Sequence, residues 1–292
     1  MGPGVLGDTL RRVILVIGAS GKVGGRAVRR LVEKGVAVRT FSRDPARIVA
    51  LDLGVDAVAG DLDQADTIPP ALQGVDTVLV VAAGWDIPGE ETNVIEAAEA
   101  AGVEHVVLLS SLGVDAGVAS GPLHAPGEAR LRSSPLSWTI LRPSVFMANA
   151  LMWRDTIKAQ GVFYEPTGSG RHAMIDPVDI GDVAAEVLTS TGHVGATYEL
   201  TGPEAISAAE CASALSEALG TEVRHVDIPD EAFRDGMSKA GAPPPLVDSL
   251  ARYYAMVKAG EFAMVTPTVP DLLGRPARTF GEWATENAKA FA

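Results

Sequence analysis

One stretch decides the fold: Val13-Ile14-Leu15-Val16-Ile17-Gly18-Ala19-Ser20-Gly21-Lys22-Val23-Gly24-Gly25. Its first five residues are apolar and uncharged, a pattern typical of a strand buried on both faces of a parallel sheet. Beyond the glycines, apolar residues recur at helical spacing as far as Val32, and Lys34-Gly35 then gives a helix C-terminus signal. The stretch therefore predicts a strand, a glycine turn and a helix in succession.

Such a unit opens a dinucleotide-binding fold, because glycines permit a tight turn and let the backbone approach a pyrophosphate at the helix N-terminus. We therefore expect an α/β chain with a Rossmann-type, doubly wound parallel sheet. The spacing is Gly-x-x-Gly-x-x-Gly, which differs from the Gly-x-Gly-x-x-Gly fingerprint and resembles the extended and atypical branches of the short-chain dehydrogenase/reductase superfamily. The turn residues expected to contact the cofactor are Gly18, Ser20, Gly21, Lys22, Val23 and Gly24.

Composition excludes several classes of protein. The chain has 292 residues, 47% of them apolar, which is enough for a large core with a smaller lobe. Its 24 Lys and Arg against 37 Asp and Glu give a net charge of −13, which disfavours non-specific nucleic-acid binding. The single cysteine, Cys211, excludes an intrachain disulfide and a multi-cysteine metal site. Met1–Arg12 lacks the apolar core of a signal peptide and no run reaches membrane-spanning length, so we expect a cytoplasmic protein, monomeric or homodimeric, with no bound metal.

The second predicted strand, residues 37–43, bears on the choice of cofactor. An NAD-selecting site places Asp or Glu about 20 residues past the glycines to bind the ribose hydroxyls. Here the strand ends in Ser42 and Arg43, and a guanidinium at that place suits a 2′-phosphate. Asp44 followed by Pro45 is interpreted as the N-cap and first residue of the next helix. We therefore expect NADP(H) in preference to NAD(H), although a solvated surface arginine is the alternative.

Two further strand ends are expected beside the cofactor. Asp61 and Leu62 follow the third strand, and an Asp-Leu pair in the resembled superfamily lies against the adenine ring. A polar turn residue and a core leucine are the alternative interpretation. Small residues follow the fourth strand, where open α/β sheets bind ligands, and Trp85 comes directly after them. The small residues are Ala82, Ala83 and Gly84.

The fifth strand ends in Ser110-Ser111, and Ser111 occupies the position of the superfamily's catalytic serine. That catalytic set also needs a Tyr-x-x-x-Lys on the following helix. Of the four tyrosines, none lies between Ser111 and the sixth strand, and His124 and Glu128 stand at the expected place. Carbonyl reduction by the tyrosine and lysine is therefore excluded, and Pro126 with Gly127 weakens the helix predicted there.

The order of these motifs resembles the NmrA-like atypical reductases over nearly the whole chain, and most of all their NADPH-dependent quinone and triphenylmethane dye reductases. The resemblance rests on His124-x-x-x-Glu128, then on Leu136-Ser137-Trp138-Thr139-Ile140-Leu141-Arg142-Pro143 and Phe146-Met147-Ala148-Asn149. It implies that Pro143 and Phe146 lie near the nicotinamide. It also implies a hydride transfer to a quinone-like or conjugated aromatic small molecule, with Ser111 and His124 facing that acceptor. A histidine packed in the wall of the crevice is the alternative for His124.

The resemblance also implies the domain organisation. We expect a Rossmann domain over residues 12–155, to which residues 171–201 return, and a smaller α/β lobe over residues 156–292 that covers the substrate. Three aromatic residues and one methionine are candidates for lining the substrate pocket, although a residue of either type more often packs in a core. They are Trp85, Met147, Trp153 and Tyr164.

Two other classes fit parts of the pattern. NmrA-like proteins include regulators that bind dinucleotides and control a partner without turnover, and a missing Tyr-Lys pair suits them too. An isomerase or other sugar-type enzyme of the extended branch fits less well, because oxidising an alcohol needs a base. Apolar space above the nicotinamide would distinguish an enzyme from a regulator.

Overall fold

The computed structural model describes residues 12–49, 52–84 and 86–291. The strands within this part of the chain are, in order, β1 Val13–Ile17, β2 Ala37–Ser42, β3 Asp56–Ala59, β4 Thr77–Val80, β5 His105–Leu109, β6 Ser137–Pro143, β7 Val162–Glu165, β8 Arg171–His172, β9 Ala196–Leu200, β10 Ile206–Ser207 and β11 Arg224–Asp227. The α-helices are α1 Lys22–Glu33, α2 Ala46–Val49, α3 Ile87–Ala101, α4 Gly121–Arg132, α5 Arg154–Gln160, α6 Pro177–Thr189, α7 Ala208–Leu219, α8 Asp230–Lys239, α9 Pro244–Lys258, α10 Thr268–Leu273 and α11 Phe280–Asn287.

Seven parallel strands form the main sheet, in the order β3-β2-β1-β4-β5-β6-β9. The order reverses at β1, whose Ile14 pairs with Val38 of β2 on one side and Thr77 of β4 on the other. In sheets of this kind ligands bind beyond the carboxyl ends of the strands, where the order reverses. The predicted Rossmann-type sheet is confirmed, and the predicted glycine turn follows the strand at this reversal.

Successive residues of each strand face opposite sides of the sheet and so build two cores. Ile14 and Val16 point towards α1 and α6, together with Ala27, Leu31 and Val183. Leu15 and Ile17 point towards α3 and α4, together with Val94, Ile95 and Leu131. Both faces of the sheet are thus covered, which explains why its central strands are continuous apolar runs.

The smaller lobe includes β7, β11, α7 and α11. Trp153 stacks on Phe163 of β7 with ring centroids 3.9 Å apart, and Phe280 and Trp283 of α11 belong to the same apolar cluster. Ser207 caps α7 through a reciprocal capping box with Glu210. Strand β7 and helices α7 and α11 contribute to an apolar cluster separate from the two cores of the main sheet.

Two local features depend on contacts between distant segments. The strand β8 ends at His172, because Ala173 donates to the Phe262 carbonyl and Ile175 to the Val145 carbonyl. At the start of α6, Asp176 is the N-cap. The acidic residues that follow it also form ion pairs, since Asp182 binds Arg26 at 2.6 Å and Asp179 binds Arg275 at 2.7 Å. These pairs join α6 to α1 and to the segment after α10.

No helix in the described part of the chain combines the length and the apolar character that a membrane crossing requires. Among the described residues there is also no group of three or more His, Cys, Asp or Glu side chains arranged to hold a metal ion.

Candidate active site

The glycine turn is closed by contacts that leave no room for side chains. Gly18 has a φ of +77°, and a Cβ there would lie 2.6 Å from the Val81 carbonyl oxygen. A Cβ on Gly24 would collide with the carbonyl oxygen of Gly18. The turn therefore lies directly against the end of β4, and glycine is required at both positions.

The N-terminus of α1 has the properties of a phosphate site. Its N-cap is Gly21, which has no side chain to accept from the first-turn amides. Ser20 and Lys22 are exposed beside these amides, whereas Val23 is buried in the core. Unpaired amides and the helix dipole attract an anion, so these residues fit the pyrophosphate of a dinucleotide.

Arg43 is exposed directly beyond β2. Burial raises the pKa of the Glu90 carboxyl, and the backbone hydrogen bonds from Gly84 and Ala83 and the positive charge of Arg43 oppose this shift. The hydroxyl of Ser42 accepts from the backbone amide of Asp44 at 3.1 Å. Asp44 directs its carbonyl towards the amide of Arg47, as expected for a residue that begins a helix. Arg43 is therefore an exposed cation at this end of the sheet, while Arg39 is bound to Asp56.

Asp61 and Leu62 lie in the turn after β3. The backbone amide and carbonyl of Asp61 both bond to the Thr67 hydroxyl, at 3.0 and 2.9 Å. Asn93 of α3 donates to the Leu62 carbonyl at 2.8 Å, and the Leu62 side chain packs on the core beneath α3. The turn is thus fixed by two neighbouring elements.

Residues 82–84 continue β4 and are held by a buried carboxylate that the sequence reasoning missed. Glu90 is only 6% exposed and accepts from the amides of Ala83 and Gly84 at 3.3 and 3.1 Å. A Cβ on Gly84 would collide with this carboxylate. Ala82 is buried behind the loop. Trp85 lies outside the described residues.

Ser111 is brought beside Pro143 by the pairing of β5 with β6. The amides on either side of it, those of Ser110 and Leu112, donate to the carbonyls of Leu141 and Pro143 at 2.7 and 2.9 Å. Ser111 itself is 8% exposed, and its hydroxyl accepts from the amide of Gly113 at 3.2 Å. Two of the predicted site residues therefore meet at the carboxyl ends of neighbouring strands.

His124 lies in the first turn of α4 and is bound to a carboxylate of α3. Its Nδ1 is 2.7 Å from Oε1 of Glu91, which is fully buried. Burial raises the pKa of the Glu91 carboxyl, against the opposing effect of the hydrogen bond to His124. Although Pro126 and Gly127 have low helix propensity, α4 runs through both of them without a break.

Glu128, at the expected lysine position, serves another purpose. It accepts from Arg142 at 2.8 and 2.7 Å and from the Ser110 hydroxyl at 2.6 Å. Although burial opposes ionisation, these hydrogen bonds hold the pKa of Glu128 below its ordinary value. Arg142 also binds Asp115 at 2.7 Å, so it joins β6 to the loop that follows Ser111.

The remaining candidates occupy three different environments. Phe146 is partly buried and forms a parallel bridge with Ile175, near the end of β6. Met147 and Trp153, at 1% and 8% exposure, belong to the core of the smaller lobe. Tyr164 is 42% exposed and donates to Gln160 at 3.0 Å on the surface.

A Tyr-x-x-x-Lys spacing does occur elsewhere, at Tyr254 and Lys258 of α9. It has no catalytic arrangement. The Tyr254 hydroxyl donates to buried Glu165 at 3.3 Å, and burial raises the pKa of the phenol well above its ordinary value. Lys258 binds Asp230 at 2.9 Å on the surface. Proton donation by this motif requires a lysine that lowers the pKa of the tyrosine. Here the pKa of Tyr254 is raised, and Lys258 is bound to Asp230.

Sequence reasoning missed Glu90 and Glu91 and assigned no ion pair to Glu128 and Arg142, although Glu91 and Arg142 carried a signal. Positions 91, 94, 95 and 98 form the buried stripe of α3, so a glutamate at position 91 interrupts an apolar face. Arg142 likewise interrupts a strand that is buried along its length. A charged residue at a core position requires a partner, and identifying that partner required the tertiary structure.

Comparisons with known proteins agree with this geometry. A family described as NAD(P)H-binding matches residues 18–191, which is more than half of the chain. The chain is 39% identical to an NAD(P)H azoreductase of Xenophilus azovorans, over 96% of this chain and 99% of the relative. The protein therefore belongs to the NAD(P)H-binding family.

Two solved structures extend the comparison. The NADPH-dependent quinone oxidoreductase QOR2 of Escherichia coli, complexed with NADPH, is 28% identical with a TM-score of 0.84, covering 94% of this chain and 99% of that one. The triphenylmethane reductase of Citrobacter sp. is 25% identical with a TM-score of 0.81, with the same two coverages. The resemblance to these two groups of reductases, first indicated by motifs, is confirmed.

Proposed function

We propose that the protein is an NADPH-dependent reductase that transfers a hydride to a quinone-like or other conjugated aromatic acceptor. The observation that carries this proposal is the pair formed by His124 and Glu91 where the superfamily places its tyrosine. The known relatives support it, since they are named as reductases of azo compounds, quinones and triphenylmethane dyes.

In this proposal each part of the cofactor has a defined site. The amides of residues 22–24 bind the pyrophosphate, and Arg43 binds the 2′-phosphate, for which a guanidinium is well suited. Asp61 and Leu62 contact the adenine, and residues 82–84 contact a ribose. Pro143 and Phe146 border the nicotinamide. NADPH bound in this way supplies the hydride.

The missing tyrosine restricts the acceptors. A simple ketone becomes an alkoxide on accepting a hydride and needs a positioned acid. A quinone becomes a resonance-stabilised hydroquinone anion, and a cationic dye becomes a neutral product. For these acceptors, positioning in an apolar site provides most of the rate enhancement. Ser111 and His124 would face the acceptor, and the smaller lobe would select it. Residues 12–155 and 171–201 would form the cofactor domain.

A panel of benzoquinones, naphthoquinones, azo dyes and triarylmethane dyes tests the proposal by following the NADPH absorbance. We expect consumption well above background with at least one of the four classes, and slow turnover of simple aliphatic ketones. Tight NADPH binding with no turnover of any acceptor would contradict the proposal and favour a dinucleotide-binding regulator.

A further inference from the structure

Glu91 is a carboxylate in a place that an apolar residue would normally fill. It lies on the buried stripe of α3 and has no exposed surface. One oxygen, Oε1, faces His124 Nδ1 at 2.7 Å, while Oε2 is buried with no hydrogen-bond partner among the described residues. A buried polar atom without a partner is rare in native proteins and requires an explanation.

The fold makes room for this carboxylate. On α4, Gly127 directly faces Glu91, and a Cβ there would collide with Oε2. Glycine weakens a helix by about 1 kcal/mol relative to alanine, and α4 already contains Pro126. Gly127 therefore lowers the stability of α4 but leaves room for the Glu91 side chain beside His124.

Stability does not explain the arrangement. Desolvating two ionisable groups costs free energy that their attraction often fails to recover, so buried pairs of this kind are weak contributors to folding. Burial raises the pKa of the Glu91 carboxyl, and the nearby negative charges of Glu128 and Glu90 add to this effect, while His124 opposes it. An apolar residue at position 91 would avoid these costs.

The pair is placed where a reaction would use it. His124 is in the first turn of α4 and Glu91 in the second turn of α3, and both helices begin at the carboxyl edge of the sheet. Glu90, next to Glu91, holds the amides of the predicted cofactor loop. Nδ1 of His124 is occupied by Glu91, so the nitrogen available to a ligand is Nε2.

We propose, building on the reductase function above, that His124 donates a proton to the acceptor through Nε2 and that Glu91 is the positioning residue that holds the imidazole through Nδ1. A quinone takes up one hydride from NADPH and one proton from Nε2–H, which gives the hydroquinone and NADP⁺. An azo group takes up the same pair to give a hydrazine, with the hydride bound to one nitrogen and the proton to the other. His124 is left neutral with its proton on Nδ1, and it regains the Nε2 proton from water.

This role separates two classes of acceptor. A triarylmethane dye cation accepts a hydride at its central carbon and becomes neutral, so it needs no proton. An azo compound does need one, because hydride addition leaves negative charge on nitrogen. A quinone depends on the proton less, because its hydroquinone anion is stabilised by resonance. Loss of the pair must therefore slow reduction of an azo compound much more than reduction of a triarylmethane dye, which a general structural defect would not do.

Glu91→Leu and Glu99→Leu provide a matched comparison. Both remove a carboxylate of α3 that is paired with a cationic or ionisable side chain of α4, but Glu99 binds Arg130 near the surface. We expect Glu91→Leu to lower kcat for an azo dye about 100-fold, within the range of general acid catalysis, and to change kcat for a triarylmethane dye less than threefold. Glu99→Leu should change neither. Gly127→Ala, which displaces the carboxylate without removing a charge, should reproduce the selective loss.

A measurement without turnover tests the geometry directly. Nitrogen-15 NMR of labelled histidine at high pH should show neutral His124 with its proton on Nδ1, assigned by its absence in His124→Gln. Glu91→Leu should move this proton to Nε2, and Glu99→Leu should not. Equal losses for both dyes, or an Nδ1 proton that persists in Glu91→Leu, would overturn the inference. If the parent protein reduces no acceptor the proposed function fails, while the NMR result still decides whether Glu91 sets the tautomer.

Discussion

Glu128 and Arg142 form a bidentate ion pair, with Oε1 accepting from Nε at 2.8 Å and Oε2 from Nη2 at 2.7 Å. Both side chains are at most 10% exposed. The pair joins α4 to the end of β6, and Arg142 reaches from there to Asp115 in the loop after β5. The elements that carry Ser111, His124 and Pro143 are therefore held together by one guanidinium.

Removing one partner of this pair should be costly. Glu128→Gln removes the buried counter-charge of the Arg142 guanidinium and leaves it with the exposed Asp115, and we expect the free energy of unfolding to fall by about 3 kcal/mol. Asp115→Asn is the matched control, since Asp115 binds the same guanidinium but is 76% exposed, and its loss should cost less than about 1 kcal/mol. Urea denaturation with an unchanged m-value measures both. Equal losses for the two variants would show that burial does not determine the strength of these contacts.

Gly24→Ala tests the close packing of the glycine turn. Alanine favours helices, but here its methyl group would collide with the Gly18 carbonyl. We expect a loss of about 1–3 kcal/mol in stability, as for overpacked sites, together with at least a tenfold weaker affinity for NADPH. Gly236→Ala in α8 is the control, because a Cβ there meets no atom within 4 Å. It should stabilise the protein by about 0.5–1 kcal/mol. Calorimetry and fluorescence titration give the two readouts, and unchanged NADPH affinity in Gly24→Ala would contradict the assigned pyrophosphate site.

The main sheet could be predicted from sequence because its information is local. Five apolar residues, a glycine turn and a 3.6-residue repeat specify β1 and α1. The helix ends at Glu33, with Lys34 as its C-cap and Gly35 in the left-handed region, as its signals predict. Dipeptides such as Asp176-Pro177 likewise mark the start of α6 by capping chemistry.

The pairs that build the candidate site could not be predicted in the same way. Glu91 and His124 are 33 residues apart, and Glu128 and Arg142 are 14 residues apart, so each partner is identified only when two elements pack. Position 173 shows the same limit, because its amide donates to the distant carbonyl of residue 262 instead of extending β8. Local pattern indicates that a buried charge needs a partner, and the packing of α3, α4 and β6 determines which residue it is.

Buried Glu165 gives the smaller lobe a dependence on pH. Desolvation raises the pKa of this carboxyl from its ordinary 4.5 to about 7, although hydrogen bonds from Tyr254 and Trp153 oppose the shift. The folded state holds the Glu165 proton more tightly than the unfolded state does. Protonated Glu165 therefore contributes stability to the folded protein that is fully present below pH 4.5 and is lost as the pH rises through 7. The loss amounts to about 3 kcal/mol.

Glu165→Gln removes this titration. We expect the stability of the variant relative to the parent protein to rise by about 3 kcal/mol between pH 5 and pH 8. Glu217→Gln, an exposed change on α7, should leave the difference constant. Urea denaturation across this pH range is the measurement. A parent protein whose stability varies with pH in the same way as that of Glu165→Gln would show that Glu165 does not titrate there.

Arg43 decides the choice of cofactor if its guanidinium binds the 2′-phosphate. Such charged hydrogen bonds contribute about 1.5–3 kcal/mol, so Arg43→Glu should raise the Kd for NADPH by about 10- to 100-fold. The Kd for NADH, which has no 2′-phosphate, should change little or improve. Arg29→Glu, the same charge reversal at an exposed position of α1, controls for the change in net charge. Titrating each variant with both dinucleotides separates the contributions, and a parent protein that binds NADH at least as tightly as NADPH would refute the assignment of Arg43.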